Sequence, residues 1–91
     1  MRFTWDDVKR RSNLAKHRLD FADAKKVFAG ATFTIEDEWL DYGEQRFITT
    51  GLLNEIVVVI AHTQTHEETR IISMRKATKN EQKKYFKGFF N

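Results

Sequence analysis

Ile56-Val57-Val58-Val59-Ile60 is the stretch that decides the fold. Five successive β-branched residues favour extended backbone, because branching at Cβ restricts the side chain in a helix and packs well on a pleated surface. Successive strand residues point to opposite faces, and here both faces are apolar. A strand of this kind lies in the middle of a sheet and is covered on both sides. Working outward from it, the β-rich segments are Ala31 to Glu38, Gln45 to Leu53, Glu55 to Thr63 and Thr69 to Arg75. They are separated by Asp41-Tyr42-Gly43, Asn54 and His66-Glu67-Glu68, gaps short enough for antiparallel hairpins and too short for crossovers.

Helical patterns flank this block. Arg2-Phe3-Thr4-Trp5 alternates as a short strand, and Asp6 or Asp7 can cap a helix running to about Arg18, with Val8 and Leu14 inward. Asp20 can cap a second helix that places Phe21, Ala24, Val27 and Phe28 at helical spacing, and Gly30 ends it. Thr78-Lys79-Asn80-Glu81 has the spacing of a capping box and opens a last helix, on which Tyr85, Phe86, Phe89 and Phe90 form one apolar stripe. The expected fold class is α+β, an antiparallel sheet with two N-terminal helices and one C-terminal helix in the order (β)ααββββα.

At 91 residues the chain fits a single domain, 1–91, with a thin core. It has no cysteine, which excludes disulfides and Cys-based zinc sites, and no proline. Its longest apolar run is Ile56 to Ala61, far below the roughly 20 residues that span a bilayer. The first residues lack the apolar stretch of a signal peptide, so the expected location is cytoplasmic, without membrane contact. The net charge of +3 is segregated along the chain. Residues 1–28 carry eight Lys/Arg against four Asp/Glu, 29–68 carry one against eight, and 69–91 carry seven against one. If the two basic ends meet in space they form a surface suited to phosphate; otherwise they are solvated faces.

Individual residues sharpen this. Glu44 and Arg46 share parity, which fits either a cross-strand ion pair or a carboxylate that orients an arginine or acts as a base. Arg70 and Ser73 fall on opposite faces of a regular strand, and only a bulge would bring them together. His62, at the end of the central strand, is either a structurally bonded histidine or a proton carrier. Lys9, Asn13, Lys16 and His17 lie on one side of the first helix, able to bind phosphate or water. Trp5, Trp39 and Tyr42 could stack on unpaired bases. No ligand spacing resembles a metal site and no Gly-rich phosphate loop exists, so no cofactor is expected.

The sequence resembles the BrnT toxins of bacterial type II toxin–antitoxin systems. The matching residues are Phe3-Thr4-Trp5-Asp6, Lys9, Asn13, Lys16-His17, Phe21, Ala24 and Val27-Phe28. They continue with Gly43-Glu44, Arg46, Gly51, Val57-Val58-Val59 and His62-Thr63, and close with Arg70-Ile71-Ile72-Ser73-Met74-Arg75-Lys76-Ala77-Thr78 and Glu81. The resemblance runs from about residue 3 to residue 86. It implies a RelE-like fold, ribonuclease activity that shuts down translation, and two macromolecular partners. One is RNA; the other is a BrnA-like antitoxin with a DNA-binding domain, through which alone operator DNA is reached. Four departures stand out. Arg18 replaces the family's usual Gly, Gly30-Ala31 replaces Asp-Pro, and the hairpin after Gly51 is short. Thr65 stands where the family commonly has Arg, leaving one expected phosphate contact without its residue.

With the resemblance, the expected function is metal-independent endoribonuclease action. Arg46, Arg70 and Arg75 are the phosphate-stabilising candidates, since a guanidinium is always charged and can hold two phosphate oxygens. Glu44 or His62 moves protons; Lys16, His17 and Lys76 hold RNA; Phe86, Phe89 and Phe90 offer an antitoxin surface. The rival reading is a non-catalytic module of the same fold that binds RNA or an antitoxin.

Overall fold

The structure, a computed structural model, describes residues 1–37 and 43–90. Strand β1 (Arg2–Trp5) is followed by α1 (Asp7–His17), a 3-10 turn (Phe21–Asp23) and the short α2 (Ala24–Phe28). Then come β2 (Phe33–Asp37), β3 (Arg46–Leu53), β4 (Ile56–Gln64), β5 (Glu68–Lys76) and α3 (Lys79–Phe90). The strands form one five-stranded sheet in the order β1-β5-β4-β3-β2. β2 to β5 pair as successive antiparallel hairpins, but β1 pairs parallel to β5. The sheet is therefore mixed rather than antiparallel. Its first and last strands are joined through everything between them, a connection long enough to bring neighbours in parallel.

β4 occupies the centre, and Val57 to Ile60 are all buried. Val58 and Ile60 enter a core with Phe21, Ala24 and Val27, while Val57 and Val59 pack on the other face with Ala77 and Tyr85. Helices therefore cover both faces: α1 and α2 one, α3 the other. At Gly51 a Cβ would come within 2.7 Å of Val27 Cγ1, so α2 presses against β3 where a side chain is missing. Gly88 plays the same part on α3, where a Cβ would lie 1.9 Å from the Phe33 ring.

The capping box forms as its spacing requires. Glu81 N–H donates to Thr78 Oγ1 at 3.2 Å, and Thr78 N–H donates to Glu81 Oε1 at 2.8 Å. Asp6 accepts from Lys9 N–H to start α1, and Asp20 accepts from Ala22 N–H to start the 3-10 turn.

The inward face of α1 departs from its sequence pattern. Val8 and Leu14 are 65% and 40% exposed, and the residue that enters the core is Asn13. Its Nδ2 donates to Met74 O (2.9 Å) and Leu19 O (3.1 Å), and its Oδ1 accepts from Met74 N–H (3.2 Å). β1 pairs with residues 68–71 of β5, and beyond that point β5 has no strand neighbour on this side among the described residues. The carboxamide takes the neighbour's place, offering a peptide-like donor and acceptor to Met74. A buried amide in this role outweighs the packing that Val8 or Leu14 would gain.

Arg18 ends α1 in the left-handed region, at φ 61°, its N–H bonded to Leu14 O. Only glycine adopts that region without a steric cost from Cβ. Arg18→Gly should therefore raise stability by about 0.5–1 kcal/mol, the relief of strain exceeding the extra freedom of the unfolded chain. Asn13→Ala should lower it by ~3 kcal/mol, since it leaves more than one buried backbone group unbonded. Urea denaturation of both variants checks the two signs.

Candidate active site

Two clusters of basic side chains emerge, and the hydrogen-bond register of β5 places both. Residues 73 to 76 of β5 pair with 58 to 61 of β4, but beyond Ala61 the register slips and His62 faces Ile71. Ile72 is the inserted residue. As a result Ile71 and Met74, three positions apart, both enter the core on the α1/α2 side. Arg70, Ser73 and Arg75 then share the α3 side, which a regular strand would forbid. The expected separation of Arg70 from Ser73 is thus removed by a bulge.

The first cluster is Glu44, Arg46 and Arg70. Arg70 Nη2 donates to both Glu44 oxygens, at 2.6 and 2.9 Å, and Arg46 Nη2 lies 3.7 Å from Glu44 Oε1. Arg46 alternates with Phe47, which stacks on His62 on the α1/α2 side, so Arg46 belongs to the opposite face with Arg70. The second cluster lies where the free edge of β5 passes the end of α1. Lys16, His17, Arg75, Lys76 and Thr78 line a cavity of about 490 Å³. A neighbouring cavity of about 270 Å³, lined by Lys9, Ser12, Ile72 and Ser73, shares Lys16 and His17 with it. Two basic ends of the chain, far apart in sequence, do meet here. Five residues of strand separate Arg70 from Arg75, about 15 Å, so the two clusters are distinct patches of the surface.

Arg75 is oriented by a partner that the sequence reading did not assign to it. Its Nη1 and Nη2 donate to the two Glu81 oxygens at 2.8 and 2.9 Å. The guanidinium, with help from the Thr78 N–H, holds the Glu81 carboxyl down at about 2, and the pair raises the Arg75 pKa in return. The capping-box spacing did mark Glu81, but for the helix start alone. Asn13 lines the second cavity, yet its amide is spent on Met74 and Leu19, so it is a brace and not a phosphate ligand. Thr65 accepts from the N–H groups of Glu67 and Glu68, closing the β4–β5 turn.

His62 does not join either cluster. It is fully buried on the α1/α2 side, stacked on Phe47 and edge-on to Phe28, with Nε2 2.6 Å from Thr49 Oγ1. Thr49 is bonded in turn to Thr34 at 2.8 Å. A side chain so enclosed, on the face away from the arginines, cannot carry protons for them; the imidazole that the fold places beside Arg75 is His17. Trp5 is half-buried against the core with the Arg10 guanidinium 5.7 Å from its ring centre, so it is a packing residue. Phe86 and Phe89 are partly exposed on α3. Trp39, Tyr42 and the side chain of Phe90 lie outside the described residues. Among the described residues no three His, Asp or Glu side chains come together as a metal site, and no helix is long and apolar enough to cross a membrane.

Burial pushes the His62 pKa below its ordinary value, outweighing a backbone contact at Thr63 that acts in the opposite direction. Below about pH 6.5 the unfolded chain then binds a proton that the folded chain does not, so stability falls as pH falls towards the folded pKa. The loss should reach at most about 1.4 kcal/mol per pH unit in that window. His62→Gln should flatten it, as read from urea midpoints between pH 7.5 and 5.5.

Comparison with known proteins places the chain once this geometry is in view. Residues 5–81 match the family model described as the ribonuclease toxin, BrnT, of type II toxin–antitoxin systems. No curated protein matches the chain. The matched span holds α1 from end to end, the Glu44–Arg46–Arg70 group, the Arg75 groove and Glu81, so both clusters lie inside the family's own sequence. The chain belongs to the BrnT family, the ribonuclease toxins of type II toxin–antitoxin systems.

Proposed function

We propose that this toxin is an endoribonuclease that cleaves RNA with its own side chains and no metal ion, in the groove between α1 and β5. The observation that carries this reading is the cavity shared by Lys16, His17, Arg75 and Lys76. Cleavage requires a base to take the 2′-hydroxyl proton, cations to stabilise the phosphorane as O2′ attacks, and an acid to protonate the departing O5′. Arg75, held in position by Glu81, stabilises the phosphorane. His17 moves protons, the role that the sequence alone offered to His62 or Glu44. Lys16 and Lys76 hold the flanking backbone by charge.

Arg46 and Arg70 take a phosphate farther along the RNA strand, with Glu44 aligning them. A RelE-like fold is supported by the element order, and inhibition of translation in the cytoplasm follows from destruction of RNA. The partner of such a toxin is an antitoxin of BrnA type, whose DNA-binding domain would carry the complex to its operator. The exposed Phe86 and Phe89, with Phe90 beside them, are candidates for contact with it.

Purified chain should cleave single-stranded RNA equally well with and without EDTA. Arg75→Ala and His17→Ala should each lower the rate by at least ~100-fold, the usual scale for a lost charge stabiliser or proton carrier. Arg70→Ala should act mainly on KM. Expression of the chain alone should arrest bacterial growth, and Arg75→Ala should relieve the arrest while circular dichroism shows an intact fold. Loss of cleavage in chelator defeats the metal-free chemistry, and a fully active His17→Ala defeats the assignment of the groove.

A further inference from the structure

The edge of the sheet at β2 is built differently from the edge at β1. β1 is four residues long and begins at Arg2, which is charged, exposed and 3.6 Å from Glu68. Such charge is a common protection of a free strand edge. β2 ends the sheet order on the opposite side and, among the described residues, pairs with β3 alone, with no bulge, proline or lysine, its charges Glu36 and Asp37 lying at its last two positions. Phe33 and Ile35 on it are 38% and 65% exposed. With Ile48, Thr50, Tyr85, Lys84 and Glu81, whose charge Arg75 already pairs, they line a cavity of about 370 Å³ between the edge strand and α3. Phe89 extends the apolar wall, its ring 4.5 Å from that of Phe33. An open backbone edge beside an apolar groove is the arrangement that accepts an added strand, the backbone giving affinity and alternate side chains giving specificity.

We infer that the antitoxin docks here by adding an extended segment to β2 as a sixth strand. The inference rests on the toxin–antitoxin reading and deepens it. The charge pattern states what the segment must look like. Beside Phe33 the groove is rimmed by Lys84, with Lys83 and Lys87 on the same helix, so that end of the segment is acidic. β2 itself carries the exposed Glu36 near its other end, so that end of the segment is neutral or basic. Between them, alternate apolar side chains fill the groove against Ile35 and Ile48. The last residue of β2, Asp37, is in register with Arg46, so the far end of the docked strand lies one strand away from the Glu44–Arg46–Arg70 cluster.

The test uses the antitoxin encoded beside the toxin gene, purified and titrated by calorimetry against wild type, Ile35→Asp, Lys84→Glu and Val8→Asp. Val8 is as exposed as Ile35 but lies on α1, away from the groove. Ile35→Asp and Lys84→Glu should each weaken binding by at least ~tenfold, and Val8→Asp by less than about twofold. Should Ile35→Asp lose its native circular dichroism, Lys84→Glu on the exposed side of α3 decides the matter. Hydrogen exchange should show protection in the complex at the β2 amides that do not bond β3. Unchanged affinity of Ile35→Asp and Lys84→Glu, or unprotected β2 amides in a tight complex, overturns the proposal. RNA cleavage by Ile35→Asp alone should match wild type. A chain that binds through β2 yet cleaves no RNA supports the docking surface while refuting the catalytic reading.

Discussion

The three hydrogen bonds of the Asn13 carboxamide hold together what the rest of the site needs. They fix α1 against β5 at Met74, where β1 has already ended and the strand would otherwise face water or an unpaired core. Because α1 is held there, its last turn brings Lys16 and His17 to the free half of β5, which supplies Arg75 and Lys76. A helix held by apolar contact alone could slide along the sheet by a fraction of a turn with little change in buried area. A carboxamide bonded to both N–H and C=O of one residue admits no such slide, because directional bonds fail within a few tenths of an ångström.

The inserted residue at Ile72 makes the second contribution. A regular β5 would divide its polar side chains between the two faces and place some of them under α1 and α2. The slip in register gathers Arg70, Ser73 and Arg75 on one face while Ile71 and Met74 both stay in the core. Core and site are satisfied by the same irregularity. α3 then covers the part of this face that carries Val57, Val59 and Ala77, and Glu81 at its start ties Arg75 to the helix cap. The cap and the orientation of the Arg75 guanidinium are therefore one hydrogen-bond network, and neither can be altered without the other.

Much of the fold was legible because its signals are local. The Val57-Val58-Val59 run announced a strand covered on both faces, the gaps announced hairpins, and Thr78 with Glu81 announced a helix start. The misses were relations between distant segments. Nothing in β1 tells that it joins β5 in parallel, since the two strands lie more than sixty residues apart and no local pattern links them. Asn13 looked like a surface residue among Lys9, Lys16 and His17, because a polar side chain on a helix is assigned to water unless its buried partner is known. His62 was an expected proton carrier and His17 was expected only to hold RNA; strand alternation from Ile60 puts His62 on the buried face, while the end of α1 brings His17 beside Arg75. The adjacent apolar pair Ile71-Ile72 was the one local hint of the bulge, a break in alternation that a strict period-two reading passes over.

Gly88 has an effect reaching beyond the close approach it permits. A glycine near the end of a helix makes the last turns about 1 kcal/mol less favourable than alanine would. The end of α3 is thus held less by its own backbone preference than by the Phe33 ring lying where the side chain of residue 88 would be. Helix order and the rotamer of an edge-strand aromatic become one variable. Displacing that ring removes packing from the helix end, so contact at the exposed rim of the sheet bears directly on the last turns of α3.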